Sequence, residues 1–246
     1  MSTPGWLMMR NAVCLLLLGY LLVPAALAQT DSEPASPTGV SEEAEAQLLA
    51  AIFPDSCHFS GQFSQQKAVK GLPMPLKSRG DFYFSCELGL IWHTQAPFQE
   101  ALLYANASDS YRVNERGDIE PLSGVAKYAM SNIFLRVLKG DTDYFAQMFT
   151  VRRAENESGT ELLPDSAFMQ KGIKRILISK QRDDNDAVTL NIHIDDTTGQ
   201  RTAVTINQIT PYAINDKQAA YDQCRALYPS TRKWCRALRM PGQVIR

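Results

Sequence analysis

A chain of 246 residues with 25 basic and 26 acidic side chains, a net charge of −1 and 45% hydrophobic residues has the composition of a folded globular protein of one domain, or at most two. That charge balance argues against nucleic acid as a partner, which needs a basic surface. Three histidines leave little material for a metal site or a histidine relay, and no cofactor is expected.

The first segment reads as an export signal. Arg10 precedes an apolar run from Ala12 to Val23 that is too short for a comfortable membrane span. Pro24 breaks it, and Ala26-Leu27-Ala28 has the small-x-small pattern of a cleavage site. Residues 1–28 are therefore expected to be a signal peptide cleaved after Ala28, delivering the mature chain to the periplasm. Removing Cys14 leaves Cys57, Cys86, Cys224 and Cys235, an even set that favours disulfides in an oxidising compartment. No Cys-x-x-Cys pair suggests redox or zinc chemistry.

Residues 29–41, rich in Ser, Pro, Thr and acidic side chains, read as a flexible linker. Ser41 then caps a helix whose first turn carries Glu42, Glu43 and Glu45 and whose apolar stripe is Ala44, Leu48, Leu49 and Ile52. Alternating segments follow. Phe59 to Lys67 reads as a strand, Gly71-Leu72-Pro73-Met74-Pro75 as a turn, and Gly80 to Ser85 as the returning strand. The midpoint between Cys57 and Cys86 falls in that turn, so a symmetric hairpin sets the two cysteines opposite each other. Of the three possible pairings, Cys57–Cys86 with Cys224–Cys235 is favoured. Further strands are expected at 88–93, 101–106 and 110–114, then a helix from Val125 to Lys139 stopped by Gly140 and a short helix capped by Asp141. Strands resume at 148–153, 161–163, 174–180, 187–194 and 202–208. The pattern is that of a mainly antiparallel sheet with a helix before it and a helical insertion in its middle.

Catalytic patterns are missing. No nucleophile elbow, His-Glu-x-x-His, phosphate loop or dinucleotide fingerprint occurs. His58, His93 and His193 are isolated, and Asp183-Asp184-Asn185-Asp186 lacks the glycine and distal glutamate of a calcium loop. No enzymatic activity is expected. What the chain has in excess is apolar strand surface. Phe82, Phe84, Leu88, Leu90 and Trp92 fall at alternate positions on consecutive strands, and Leu102 and Tyr104 can continue their face. Such a face is either a plain core under a helix or the lining of a curved sheet with room for an acyl chain.

Phe63-Ser64-Gln65-Gln66-Lys67, then Ser78-Arg79-Gly80-Asp81-Phe82-Tyr83-Phe84, then Gly89-Leu90-Ile91-Trp92-His93-Thr94-Gln95-Ala96-Pro97, in that order and spacing, resemble the LolA family of periplasmic carriers of outer-membrane lipoproteins. The match spans about residues 45–105. Beyond residue 110 it is architectural: a helical insertion, Leu162-Leu163-Pro164 and a terminal pair of strands. The resemblance implies a LolA/LppX-like fold, an incomplete antiparallel β-barrel covered by a helical lid, over residues 42–209. It also implies an apolar cavity lined by Phe82, Phe84, Leu88, Leu90, Trp92 and Leu102, with Leu90 near the mouth and a lid carrying Val125, Ala129, Ile133, Phe134 and Val137. The implied partners are an acylated lipoprotein or lipid as cargo, an inner-membrane transporter and an outer-membrane receptor, met by a monomer.

Two departures stand out. Where the family has an arginine tied to lid closure, this chain has Cys86, which lacks guanidinium donors. Residues 210–246 form a basic helical extension in which Lys217, Arg225, Arg232, Lys233, Arg236, Arg239 and Arg246 outnumber Asp216 and Asp222. It reads as either a docking surface for an acidic partner or anionic headgroups, or a solvated cap. The expected function is carriage of acyl chains toward the outer membrane. The alternative is a lipid- or lipoprotein-binding envelope sensor, or an accessory protein of a dedicated lipid exporter.

Overall fold

The computed structural model describes residues 41–106, 109–122, 133–155 and 157–243, which lie in one compact unit. The expected signal peptide, nearly all of the linker, and Val125 and Ala129 of the expected lid lie outside the described residues. None of the described helices is long and apolar enough to cross a membrane.

Helix α1 spans Glu42–Ile52, and the Ser41 hydroxyl accepts a hydrogen bond from the Ala44 N–H at 3.3 Å, supplying the expected cap. Strands β1 (His58–Lys67), β2 (Leu76–Ser85), β3 (Gly89–Ala96), β4 (Glu100–Ala105), β5 (Ser110–Val113) and β6 (Ile119–Pro121) form a meander. Helices α2 (Leu135–Lys139) and α3 (Thr142–Met148) follow. Gly140, at φ 65°, ends α2 in the left-handed conformation, and the Asp141 carboxylate caps α3 by accepting from the Tyr144 N–H at 3.1 Å. Strands β7 (Phe149–Arg153), β8 (Thr160–Pro164), β9 (Ile173–Arg182), β10 (Val188–Asp196) and β11 (Arg201–Pro211) complete the sheet, and helices α4 (Lys217–Leu227) and α5 (Arg232–Arg239) end the described chain.

All eleven strands join one antiparallel sheet in the order β6-β5-β4-β3-β2-β1-β11-β10-β9-β8-β7. The two halves meet at β1 and β11, where Phe63 faces Ile206 and Lys67 faces Thr202. The edge strands β6 and β7 do not pair with each other, so the curved sheet stays open, as an incomplete barrel requires. The segment between those edges holds the helical insertion.

Period-two alternation gives the sheet two apolar faces. The inner one gathers Phe59, Phe63, Phe82, Phe84, Leu90, Trp92 and Tyr104 from one half, and Val151, Leu162, Ile176, Ile178, Leu190, Ile192, Val204 and Ile206 from the other. Leu49, Ile52, Phe134, Val137, Leu138 and Phe145 cover it. The outer face carries the residues between them, Tyr83, Ile91, Ala101, Leu103, Tyr111 and Val113, under Ala220, Cys224, Trp234, Cys235 and Leu238 of α4 and α5. Both faces being apolar there explains the unbroken apolar stretches Phe82-Tyr83-Phe84 in β2, Leu90-Ile91-Trp92 in β3 and Leu102-Leu103-Tyr104 in β4.

Several boundaries differ from the sequence expectation. Strand β2 starts at Leu76 rather than Gly80, because backbone pairing with β1 continues to Lys67↔Leu76 through residues that bury nothing. Strand β6 was not expected, being three residues long with no apolar alternation. Strand β11 runs to Pro211, across the expected domain boundary after residue 209, since its pairing with β1 continues to Phe59.

Across β8 to β11, Arg175 bonds Glu157, Glu161 and Asp195 at 2.9, 3.1 and 2.7 Å, and Arg201 holds the other Asp195 oxygen at 2.6 Å. Hydrogen bonds from Arg201 and then Arg175 hold the Asp195 carboxyl down at about 2. A carboxyl lowered in the folded state contributes stability at pH above its ordinary value of 3.8 and loses it as pH falls through about 2. With solvent screening the contribution is about 1–2 kcal/mol. Unfolding titrations are expected to show stability falling between pH 4 and 2, with a shallower fall in Asp195→Asn.

Candidate functional site

Most of the expected lining residues meet on the inner face. Phe82, Phe84 and Leu90 are buried there together with Trp92, and the half-buried Leu102 packs against them. Phe63 stacks on Trp92 with ring centroids 3.7 Å apart, Phe82 lies 5.8 Å away, and Phe134 meets Trp92 edge-on at 4.7 Å. Ile133, Phe134 and Val137 of the insertion thus cover the face where the resemblance puts a lid.

Leu88 does not belong to this set. It sits in the turn before β3 and packs with Tyr83 and Ile91 on the outer face. The phase slips at Gly89, whose φ is 117° and where an added Cβ would lie 1.9 Å from the Tyr104 carbonyl oxygen. Alternation counted through that turn sends Leu88 to the wrong side. Leu90 is fully buried, so a glutamate there would carry a charge into the core and destabilise the fold rather than act only on cargo.

Tyr104, paired with Leu90 across β3 and β4, has a buried hydroxyl with no hydrogen-bond partner. Among the described residues it shares that state with His193 Nδ1 and Trp234 Nε1, neither of which belongs to the inner cluster. Burial, and the Glu100 charge after it, push its phenol pKa well up, so the hydroxyl is a neutral donor. A buried donor without a partner in an apolar face costs free energy unless something else supplies the acceptor.

The disulfide Cys57–Cys86 forms with Cα atoms 5.4 Å apart, one step beyond the His58↔Ser85 pair, and the Cys86 N–H donates to the Cys57 carbonyl at 2.9 Å. The bridge thus staples the end of β2 to the start of β1. Cys224–Cys235 joins α4 to α5.

The basic extension packs on the outer face of the sheet. Tyr228, in the turn between its helices, donates its hydroxyl to Asp81 at 2.6 Å, and His93 Nδ1 lies 3.1 Å from the other carboxylate oxygen, which Gln95 also bonds. Trp234 packs edge-on to His93 at 5.0 Å. Tyr83 donates to the Ala220 carbonyl at 2.9 Å and Tyr111 to the Pro241 carbonyl at 2.7 Å. Asp81 can take this position because Gly80 lets the β3 backbone in: a Cβ at Gly80 would lie 1.8 Å from the His93 carbonyl oxygen. Both Asp81 oxygens are occupied, so the group is a clasp, and burial followed by the Asp81 charge raises the Tyr228 phenol pKa. Tyr228→Phe is expected to cost about 1.5–3 kcal/mol in urea unfolding, the range for a hydrogen bond to a charged group. Beside the clasp lies a cleft of about 690 Å³ lined by Gln62, Asp81, Glu100, Arg116, Lys233 and Trp234 among others.

No family model matches the chain, and no curated protein matches it in sequence. Among solved structures it is similar to a LolA superfamily protein of Nitrosomonas europaea, 12% identical, covering 73% of this chain and 97% of that one with a TM-score of 0.40. It is also similar to a DUF1329 family protein of Desulfovibrio piger, 12% identical, covering 70% and 93% with a TM-score of 0.40.

Proposed function

We propose that this protein binds acyl chains of lipoproteins or lipids on the inner face of the open sheet and carries them through the periplasm toward the outer membrane. The observation that supports it most is the breadth of that face. Apolar side chains from β1–β4 and β7–β11 form one surface, while the described cover over it is α1, α2 and α3, of 11, 5 and 7 residues. Each acyl methylene withdrawn from water stabilises a complex by about 0.8 kcal/mol, so a face of this kind suffices without any charged recognition. The two disulfides are consistent with an exported protein. On this reading the chain is a binding protein whose membrane partners are a donor at the inner membrane and an acceptor at the outer one.

Tyr104 gives the proposal a polar test. Its unpartnered hydroxyl can donate to the ester or amide carbonyl at the head of an acyl chain, a group that must be desolvated with the chain. Tyr104→Phe is expected to leave stability unchanged, or to raise it by up to about 1 kcal/mol. The same change is expected to weaken binding of an acyl ester by about 5–30-fold while sparing a plain alkane. Titration with fluorescent fatty-acyl probes checks both. Absence of saturable acyl binding by the unmodified chain would count against the carrier.

A further inference from the structure

Four of the six large apolar side chains exposed among the described residues gather in two neighbouring turns. Leu72, Met74 and Leu76, at 48, 74 and 55% exposure, sit in and beside the β1–β2 turn, and Phe98, at 71%, sits in the β3–β4 turn. Register places both turns at one end of the sheet, since Lys67 faces Leu76 at the tip of the first hairpin and Arg79 faces Ala96 at the start of the second turn. The β10–β11 turn lies at the same end: the Lys70 N–H donates to Gln200 Oε1 at 3.0 Å and the Ala68 N–H to the Arg201 carbonyl at 2.9 Å.

Cations surround the apolar tip. Lys70, Lys77, Arg79, Lys171 and Lys174 are exposed at this end, and none is in an ion pair among the described residues. Three of the acidic groups at this end are engaged elsewhere: Asp195 by Arg175 and Arg201, Glu100 by Arg112, and Asp196 by the Thr198 and Gln200 N–H groups of its own turn. By contrast, the basic helical extension buries its apolar side against the outer face of the sheet and supplies only Leu227, at 37%, to the exposed set.

We propose that the β1–β2 tip, with Phe98 beside it, is a docking surface for an anionic phospholipid bilayer, the apolar tip entering the headgroup layer while the lysines meet lipid phosphates. Apolar side chains ringed by unpaired cations complement a surface that is apolar below and anionic above, and the two attractions add. The proposal rests on the carrier reading in one respect, that a carrier of membrane lipids has to reach a bilayer. Direct contact would let an acyl chain leave the membrane without crossing bulk water.

The test is co-sedimentation of the chain, as purified from the periplasm, with vesicles of phosphatidylethanolamine and phosphatidylglycerol, and with neutral phosphatidylcholine vesicles as control. Binding to the anionic vesicles, weakened by salt and at least about tenfold weaker to neutral ones, is expected. Leu72→Ser with Met74→Ser, and separately Lys70→Glu with Lys77→Glu, should each reduce it by about tenfold or more while keeping the thermal midpoint, since all four side chains are exposed. Arg232→Glu with Arg236→Glu in the extension should leave it unchanged. No binding to anionic vesicles, binding that both tip variants retain, or binding lost only in the extension variant would overturn the proposal. Acyl-probe uptake without vesicles is measured on the same proteins: tip variants should keep it, and its absence from the unmodified chain would count against the carrier reading alone.

Discussion

Replacing Trp92 with alanine is expected to destabilise the protein by about 3–5 kcal/mol, the range for truncating a buried aromatic. The indole is 4% exposed and is packed on Phe63, Phe82 and Phe134, so no neighbour can collapse into its volume without leaving another contact. The loss also separates two descriptions of the inner face. In a plain core the gap left by Trp92 stays empty and added lipid changes nothing. In an acyl-binding face the gap adjoins the cargo, so a saturating fatty acid stabilises the variant according to its affinity. Thermal unfolding of Trp92→Ala with and without a long-chain fatty acid is expected to show a lowered midpoint that the ligand partly restores.

Removing the Cys57–Cys86 bridge, by changing both residues to serine, is expected to cost about 3–4 kcal/mol in the loop-entropy description, given its sequence separation of 29. The bridge between Cys224 and Cys235 closes a span of 11 residues and should be worth about 3 kcal/mol by the same measure. The first loss concerns the hairpin at the middle of the sheet, where β1 also holds β11, so it should lower the urea midpoint of the whole fold. The second should act mainly through the helical pair on the outer face. Reduction of the unmodified protein opens both bridges and is expected to lower the midpoint by more than either serine change alone, and a midpoint unmoved by both serine changes would contradict this division.

Much of the fold was legible in local sequence. Ser41, Asp141 and Gly140 act at the helix ends where their side chains or φ preference put them, because caps depend on a few adjacent residues. The hairpin and its disulfide followed from symmetry about one turn. Acidic and asparagine residues at 183–186 form the expected hairpin turn, in which Asp183 accepts from the Asn185 and Ala187 N–H groups. Leu88 shows where counting stops working, since one glycine with positive φ shifts the alternation between strands. The clasp was not legible at all. Asp81 and Tyr228 are 147 residues apart, and a lone tyrosine in a basic extension carries no sign of the carboxylate it will meet. The extension accordingly read as an appendage, whereas its apolar side completes the second face of the sheet.

The central claim, that the inner face holds acyl chains, is most directly tested by native mass spectrometry of the protein purified gently from the periplasm, followed by solvent extraction of whatever is bound. The account predicts a mass increment that the extract resolves into an acylated peptide, lipoprotein or lipid. A bare protein mass that persists after incubation with added lipid would contradict it and leave the inner face as an ordinary hydrophobic core.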